Sequence, residues 1–320
     1  MRKLHVAIAG VVVVGAAYLG GMYVVGGKTL SHFHQLIDKL NEHDSQGHYD
    51  IKDEHHGLFS STATVVGGDK KQSMTVDAPV IFHHGFFSTD IDSQIVATGN
   101  GQYASQSLNS KEDPIFVHLH AQHGDQLPDI HIEAKQFKLP DVDQEGGIVI
   151  KGLKLDLVRE SAPSVSHLTL NVSDATVEAK HYKGSASLKV DQLVADTFAS
   201  IAASGLNNGS VDDKDADAKV VTMLQASPRF EIENLAVSGD DLKEVSVNGY
   251  ATIDGKELKS IEDVQARAQQ LVKGQLVIRN VPEQAVMMAP MIGLTELKAG
   301  DTVTVDVDAG HVKVNGKQLN

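Results

Sequence analysis

The feature that most constrains this chain is an apolar run near its N-terminus, which extends from Val6 to Gly26 without a charged residue. A helix rises about 1.5 Å per residue, so about 20 apolar residues cover the hydrocarbon core of a bilayer. Arg2 and Lys3 precede the run, and positive residues favour the cytoplasmic side of a membrane. We therefore expect residues 1–27 to form a transmembrane anchor, with the rest of the chain exported.

A cleaved signal peptide is the alternative interpretation of this segment. Small residues at Gly15, Ala16 and Ala17 follow a short apolar core, as they do at signal-peptidase sites. The apolar run nevertheless continues through Val25, which a cleaved signal does not need. A retained anchor is therefore the preferred interpretation, and cleavage stays open as the alternative.

The composition of the chain excludes several classes of protein. There are no cysteines, which rules out a disulfide framework, thiolate zinc sites and thiol catalysis. The net charge is −14, whereas nucleic acid rewards clusters of Lys and Arg. Tryptophan is absent and other aromatic residues are sparse, which suits many thin strands better than a bulky core. We expect no nucleic-acid partner and no cofactor.

A short amphipathic helix is predicted directly after the anchor. Its apolar residues recur at helical spacing, which buries one face of a helix. These residues are Leu30, Phe33, Ile37 and Leu40. The predicted organisation is a transmembrane anchor at 1–27, a stalk helix and linker at 28–50, and an exported β-rich domain at 51–320.

Alternation of apolar and polar residues dominates the exported domain. This pattern is typical of strands that bury one face. It is clearest at Leu153, Leu155 and Leu157, and again at Leu168 and Leu170. Near the C-terminus, alternating valines flank residues 308–310 and predict a hairpin with a three-residue turn. The sequence predicts a mainly β fold, a β-rich α+β class with an extended antiparallel sheet.

A few helices are predicted to cover part of this sheet. Helical spacing of apolar residues at 190–201 and 220–224 predicts a helical hairpin, and further helices are expected at 261–272 and 283–292. We interpret the methionines of the last helix as core residues. They are Met287, Met288 and Met291. Because the helices total less length than the strands, we expect partial coverage and an apolar groove lined by the five leucines above.

Two short motifs carry a resemblance to a known family. Residues 57–61 read Gly-Leu-Phe-Ser-Ser after His56, and His84-Gly85-Phe86 follows further along the chain. In this order, behind an anchor and a short helix, they resemble the YdgA-like or DUF945 family of bacterial envelope proteins. The usual strings of that family are Arg-Gly-Leu-Phe-Ser-Ser and His-Gly-Pro, so this chain departs at His56 and Phe86.

The resemblance implies an inner-membrane protein of Gram-negative bacteria, with a single span and most of its chain in the periplasm. It implies no established enzymatic role and provides no catalytic residues. The motif residues are accordingly interpreted as structural. They are His56, Gly57, Leu58, Phe59, Ser60, Ser61, His84 and Gly85. Because the apolar string interrupts a polar stretch, we predict that Phe59 is buried where the first exported strand meets the stalk.

Histidine-rich stretches raise the question of a metal site. The densest group is His118, His120 and His123, and strand alternation places the first two on one face of a sheet. Structural zinc sites use a compact tetrahedral ligand set, often with thiolates, which this group does not offer. We expect a solvated strand edge and no tight structural metal.

Three functions stay open. The first is a noncatalytic envelope scaffold that binds a partner, and the second is an apolar-ligand or lipid carrier that uses the groove. The third is a hydrolase assembled from distant residues, although no Gly-x-Ser-x-Gly elbow, P-loop or His-Glu-x-x-His helix occurs. The sequence favours the scaffold. Its expected partners are the membrane and either a lipid or an envelope protein, with no oligomeric state specified.

Overall fold

Antiparallel strands make up most of the residues that the computed structural model of this protein describes. The residues it describes are 33–34, 37–38, 41, 47–69, 74–86, 88–99, 107–122, 128–139, 148–159, 165–177, 179–191, 213–292, 294 and 296–319. The predicted anchor lies outside these residues. None of the helices in the described ranges has the length and apolar character needed to cross a membrane.

The strands follow one another in the order of the chain. They are β1 (Gly47–His56), β2 (Ser60–Asp69), β3 (Met74–His84), β4 (Ser88–Gly99), β5 (Ile115–Gln122), β6 (Asp129–Leu139), β7 (Ile148–Arg159), β8 (Val165–Val177), β9 (Lys180–Asp191), β10 (Arg229–Gly239), β11 (Leu242–Ile253), β12 (Val272–Arg279), β13 (Val303–Asp308), β14 (His311–Val314) and β15 (Lys317–Leu319). The hydrogen-bonded order of this 15-stranded sheet is β1 to β15. Pairing is antiparallel from β1 to β7 and from β9 to β15. The predicted mainly β, antiparallel fold is confirmed.

Three α-helices interrupt the second half of the described chain. They are α1 (Asp213–Gln225), α2 (Ile261–Leu271) and α3 (Glu283–Met288), the last continued by a 3₁₀ turn at Ala289–Ile292. The helices predicted at 261–272 and 283–292 are thus confirmed. Ser260 caps α2 by accepting a hydrogen bond from the backbone N–H of Asp263, which satisfies one of the free amides of the first turn.

One arm of the predicted helical hairpin is confirmed, and the placement of Val190 in the other arm is wrong. Its second arm exists as α1, whereas Val190 lies in β9 and pairs with Phe230 of β10. The residues from Leu188 to Val190 fit an alternating pattern as well as a helical one, and pairing with β10 decides in favour of a strand. Residues 192–212, which include the remaining apolar positions of the first arm, lie outside the described residues.

The methionines of α3 are also placed differently from the prediction. Met287 is 69% exposed and Met288 is 65% exposed, so neither fills a core. The side of α3 that packs carries Val286 instead, which contacts the cluster around Val281 and Val303. The side chain of Met291 lies outside what the structure describes.

The turn between β13 and β14 is shorter than predicted. Asp308 pairs with His311, so the turn contains only Ala309 and Gly310. Both residues have positive φ angles, 49° and 85°, as the tight turns of two-residue hairpins require. The predicted hairpin is confirmed, with two residues in its turn instead of three.

The chain divides into two compact units, each with its own packing. Unit 1 contains Met1–Val158 and Asn171–Ala179, and unit 2 contains Arg159–Leu170 and Lys180–Asn320. Both lie largely within the exported domain predicted at 51–320, and β1 begins inside the segment predicted as a stalk and linker. The strand β8 contributes to both units.

Unit 1 has a continuous core on one face of β2 to β5. Alternate residues of these strands are buried, and helical residues Phe33 and Ile37 pack against them. The ring of Phe33 meets the ring of Phe82 edge to face, with 5.3 Å between their centroids. Among the largest fully buried side chains in this core are Phe33, Phe82, Ile95, Leu119, Val65, Val76 and Val80.

The described residues of unit 2 form two small clusters. The first joins α1 and α2 through Val221, Leu224, Leu258 and Leu271, with Ile253 of β11 packed against it. The second joins Val281, Val303 and Val314, with Ile278 and Val286 packed against it. The described side chains of β9, β10, β11 and β12 include none that is buried.

Candidate functional site

The two motifs that carry the family resemblance meet at one end of unit 1. Gly57, Leu58 and Phe59 form the turn between β1 and β2, and Gly85 and Phe86 follow β3 at the connection to β4. Because β2 pairs with β3, Ser60 lies opposite His83. The backbone N–H of His84 donates to the carbonyl oxygen of Phe59 over 2.8 Å. We call residues 57–59 and 85–86 the hairpin tips.

Each tip begins with a glycine for which the structure gives a steric reason. A Cβ atom at Gly57 would collide with the carbonyl oxygen of Ser60, and one at Gly85 would lie 2.8 Å from the carbonyl oxygen of Ser88. The same Ser88 oxygen accepts a hydrogen bond from the Gly85 N–H over 2.8 Å. A side chain at either glycine therefore requires the turn to open.

The apolar residues of the hairpin tips are exposed. Leu58 is 83% exposed, Phe59 is 67% exposed and Phe86 is 87% exposed. The predicted burial of Phe59 is therefore wrong. The physical reason is that turn residues lie beyond the ends of the strands, where the packed face of the sheet does not extend.

A hydrogen bond between side chains joins the two motifs below the tips. Ser61, which is buried, places its Oγ 2.9 Å from Nε2 of His84. Burial, together with the positive charge that His83 carries when protonated, lowers the pKa of His84 from its ordinary value of 6.5. The neutral imidazole is thus favoured beside the Ser61 hydroxyl. His56 lies outside this pair, with its Nε2 3.7 Å from the Glu54 carboxylate.

An internal repeat in the sequence signals this pairing of motifs, and the prediction missed it. Residues 55–61 read His-His-Gly-Leu-Phe-Ser-Ser, and residues 83–89 read His-His-Gly-Phe-Phe-Ser-Thr. Strands of a simple antiparallel meander alternate in direction, so every second turn lies at the same end of the sheet. The repeat, placed on alternate turns, predicts two similar neighbouring tips.

Pairs of histidine and aspartate side chains lie on the face of unit 1 that is opposite its buried core. Nδ1 of His118 lies 2.8 Å from Asp92, and Nδ1 of His120 lies 2.6 Å from Asp90. On the next strands, Nδ1 of His131 lies 2.6 Å from the Asp156 carboxylate. The strand alternation predicted for the first two histidines is confirmed, and their carboxylate partners come from β4, which single-strand spacing did not reveal.

These pairs hold imidazole rings in fixed orientations across the sheet. The rings of His118 and His131 stack with 5.9 Å between centroids. Carboxylates that orient imidazoles are common around metal sites, but no group of three or more ligands suited to a metal occurs among the described residues. His123 lies outside them. Cross-strand pairs of this kind contribute about 0.2–1 kcal/mol each to the stability of a sheet.

The five leucines of the predicted groove are all half-buried. Three of them are in β7 of unit 1, where they lie opposite Ala134, Ile132 and Ile130 of β6. They are Leu153, Leu155 and Leu157. The other two, Leu168 and Leu170, are in β8 of unit 2. None of the five is among the core-cluster residues of the part of the chain that the structure describes.

Unit 2 presents a broader apolar face that the leucine pattern did not identify. A bulge in β10 after Ile232 restores the register at Leu235, so the apolar residues on both sides of the bulge share one face. The residues of this face, which we call the apolar face, are Gly184, Ala186, Leu188, Val190, Phe230, Ile232, Leu235, Val237, Val245, Val247, Gly249, Ala251, Gly274, Leu276 and Ile278.

Comparison with known proteins gives a family and no function. The chain matches no curated protein and no solved structure at a significant level. Residues 1–271 match the family described as "Bacterial protein of unknown function (DUF945)". This match includes both hairpin tips, the histidine and aspartate pairs, and the strands β1 to β11. The chain therefore belongs to the DUF945 family.

Proposed function

We propose that this is a noncatalytic envelope protein, held in the inner membrane by residues 6–26 with the rest of its chain in the periplasm. Within that setting, we propose that the apolar face of unit 2 binds an apolar ligand with an extended acyl chain. The sequence by itself favours a scaffold that binds a protein partner. The exposure of the apolar face is the observation that favours a ligand.

The apolar face consists only of aliphatic residues, glycine and one phenylalanine, yet it is poorly covered. Phe230 is 37% exposed, and Leu235 and Val237 are each 38% exposed. Soluble monomers rarely leave contiguous apolar patches of this kind open, and larger ones mark binding surfaces. An acyl chain, which has no polar group along its length, is the chemical match for such a surface.

The covering helices of unit 2 lie at the ends of the apolar face. Ile253, at the C-terminal end of β11, packs against the cluster of α1 and α2. Ile278, near the C-terminal end of β12, packs against the cluster that includes Val286 of α3. Because β11 and β12 are antiparallel, these clusters occupy opposite ends of the strands. Leu276 lies between them and is half-buried, as expected for the floor of a trough.

A charge placed on this floor tests the proposal. We expect Leu276→Asp to abolish binding of a fluorescent fatty acid by the full-length protein, because a carboxylate in an apolar trough opposes an acyl chain. The matched control is Val277→Asp, since Val277 is also half-buried but lies on the other face of the same strand. Leu155→Asp and Leu170→Asp test the groove residues that the sequence predicted.

The dependence of affinity on ligand length sharpens the test. Burial of each methylene contributes about 0.8 kcal/mol, so the Kd should fall about fourfold for each carbon added to a saturated fatty acid, until the trough is filled. If the wild-type protein binds no such ligand, or if Leu276→Asp unfolds the protein while Val277→Asp does not, the face is a core surface. The scaffold function would then replace the carrier function.

A further inference from the structure

We propose that the hairpin tips of unit 1 insert into the surface of the membrane that holds the anchor, as a second point of contact with lipid. This inference rests on the proposed anchor and is independent of ligand binding by unit 2. It assigns a role to Leu58, Phe59 and Phe86, which are too exposed to stabilise the fold.

The helical residues that precede β1 indicate which end of unit 1 the chain reaches first after the anchor. Phe33 packs on Phe82, which lies two positions before His84, and Nε2 of His34 lies 2.5 Å from the Glu54 carboxylate. At the other end of this segment, the amide of Asn41 bonds both the N–H and the C=O of Tyr49 over 2.7 Å. The segment therefore starts near the hairpin tips and runs away from them.

The length of chain between the apolar run and this segment limits its distance from the membrane. Seven residue steps separate Gly26 from Phe33, and seven extended residues span at most about 25 Å. A strand of ten residues is about 33 Å long, so one end of unit 1 lies much closer to the start of this segment than the other end does. The end that carries the hairpin tips is the one tethered to the membrane.

The chemistry of the hairpin tips fits the interfacial region of a bilayer. Their residues include no charged side chain, and three of them are large and apolar. Transfer of each such side chain from water to an apolar environment is favourable. Polar His55, His56 and His83 border the tips, and residues with a polar end and an apolar body suit the level of the headgroups.

A reporter experiment is unusually clean in this chain because it contains no tryptophan. Phe59→Trp and Phe86→Trp each introduce a single reporter at an exposed position. Phe116→Trp is the matched control, since Phe116 is 42% exposed and lies near the start of β5, opposite Gln94 and away from the tips. Each full-length variant is incorporated into phosphatidylcholine nanodiscs, with and without bromine on the lipid acyl chains.

We expect brominated lipid to remove most of the emission of Phe59→Trp and Phe86→Trp, with a blue shift relative to the protein in detergent. The emission of Phe116→Trp should not change.

If the protein resists alkaline extraction but neither tip reporter is quenched, the tips do not insert, although the anchor exists. If alkaline buffer extracts the protein, the anchor and this inference both fail. A blue shift that depends on protein concentration, without quenching by lipid, would assign the tips to contact between copies and overturn the inference.

Discussion

The strands β3 to β5 and the strands β9 to β12 are built from the same antiparallel pairing, yet they bury their apolar faces to different degrees. In β3 to β5, alternate residues such as Val80, Ile91 and Leu119 are almost completely buried. In β9 to β12, the corresponding apolar positions stay half-buried or exposed. Pairing between strands therefore does not by itself create a core.

What differs is the position of the cover and the size of the side chains. Phe33 and Ile37 belong to the core of unit 1 and pack against its strands. In unit 2 the helices pack at the two ends of the strands, and the apolar face includes Gly184, Gly249 and Gly274. Glycine provides no side chain to pack, so neighbouring residues on this face have fewer partners. The comparison indicates that the first region is built for stability and the second for an unfilled apolar surface.

Matched phenylalanine substitutions test this difference most directly, and they carry the largest expected effect. Phe82→Ala should lower the free energy of unfolding by about 3–5 kcal/mol, because it leaves a cavity in a closed core. Phe230→Ala should cost only about 1 kcal/mol, because the ring is partly in water already. Guanidinium unfolding followed by circular dichroism measures both. Equal losses would show that the two regions are packed alike.

Two glycine substitutions have the second-largest expected effect on the free energy of unfolding, with opposite signs in the two regions. Gly85→Ala should destabilise unit 1 by about 1–3 kcal/mol, because the new Cβ meets a backbone carbonyl that cannot move without opening the turn. At Gly184 a Cβ has 3.4 Å to its nearest neighbour. Gly184→Ala should therefore be neutral or stabilise by about 0.4–1 kcal/mol. The measurement is the same unfolding experiment, and a destabilised Gly184→Ala variant would indicate a tighter unit 2 than described.

Much of this fold could be predicted because its signals are local. The leucine alternation at 153–157 and 168–170 identifies β7 and β8, and Pro282 marks the start of α3. The prediction was wrong where a residue fits both helical and strand spacing, as at Val190. It was also wrong where a residue expected in a packed element lies in a turn, as at Phe59. A hydrophobic residue predicts burial only if its element has a packed face, and a tight turn has none.

The candidate sites were harder to predict because they depend on register. The aspartate partners of His118 and His120 are 26 and 30 residues away in the chain, so spacing within one strand cannot reveal them. The degree of coverage is equally nonlocal, since it depends on where helices dock on the sheet. By contrast, the repeated His-His-Gly string was visible in the sequence, and strand alternation would have placed its two copies together.

The pH dependence of stability tests the hydrogen bond below the hairpin tips, with a small expected effect. Because the pKa of His84 is lowered in the folded state, the unfolded chain binds more protons than the folded chain between that pKa and 6.5. The stability that His84 contributes is complete above pH 6.5. It is lost as the pH falls through that value towards the lowered pKa. His84→Gln should therefore lose less stability than the wild type between about pH 8 and about pH 5.

The matched control for this measurement is His48→Gln, which removes an exposed imidazole near the start of β1. Unfolding is measured at both pH values for the three proteins. If the wild type and His84→Gln lose the same stability on acidification, burial of the imidazole beside Ser61 does not contribute. If both variants lose less, the effect belongs to histidines in general and not to this pair.

The smallest expected effect belongs to Phe59→Ala, and it sharpens the comparison within unit 1 itself. Phe59 and Phe82 are the same residue on neighbouring hairpins, but the first is 67% exposed and the second is 2% exposed. Truncation of an exposed side chain normally changes the free energy of unfolding by less than about 0.5 kcal/mol, so the unfolding curve of Phe59→Ala should overlay that of the wild type. A loss near that of Phe82→Ala would mean that the tip folds onto the protein. An unchanged curve means that the aromatic residue is dispensable for folding, which leaves binding as the property for which an exposed phenylalanine at this turn is suited.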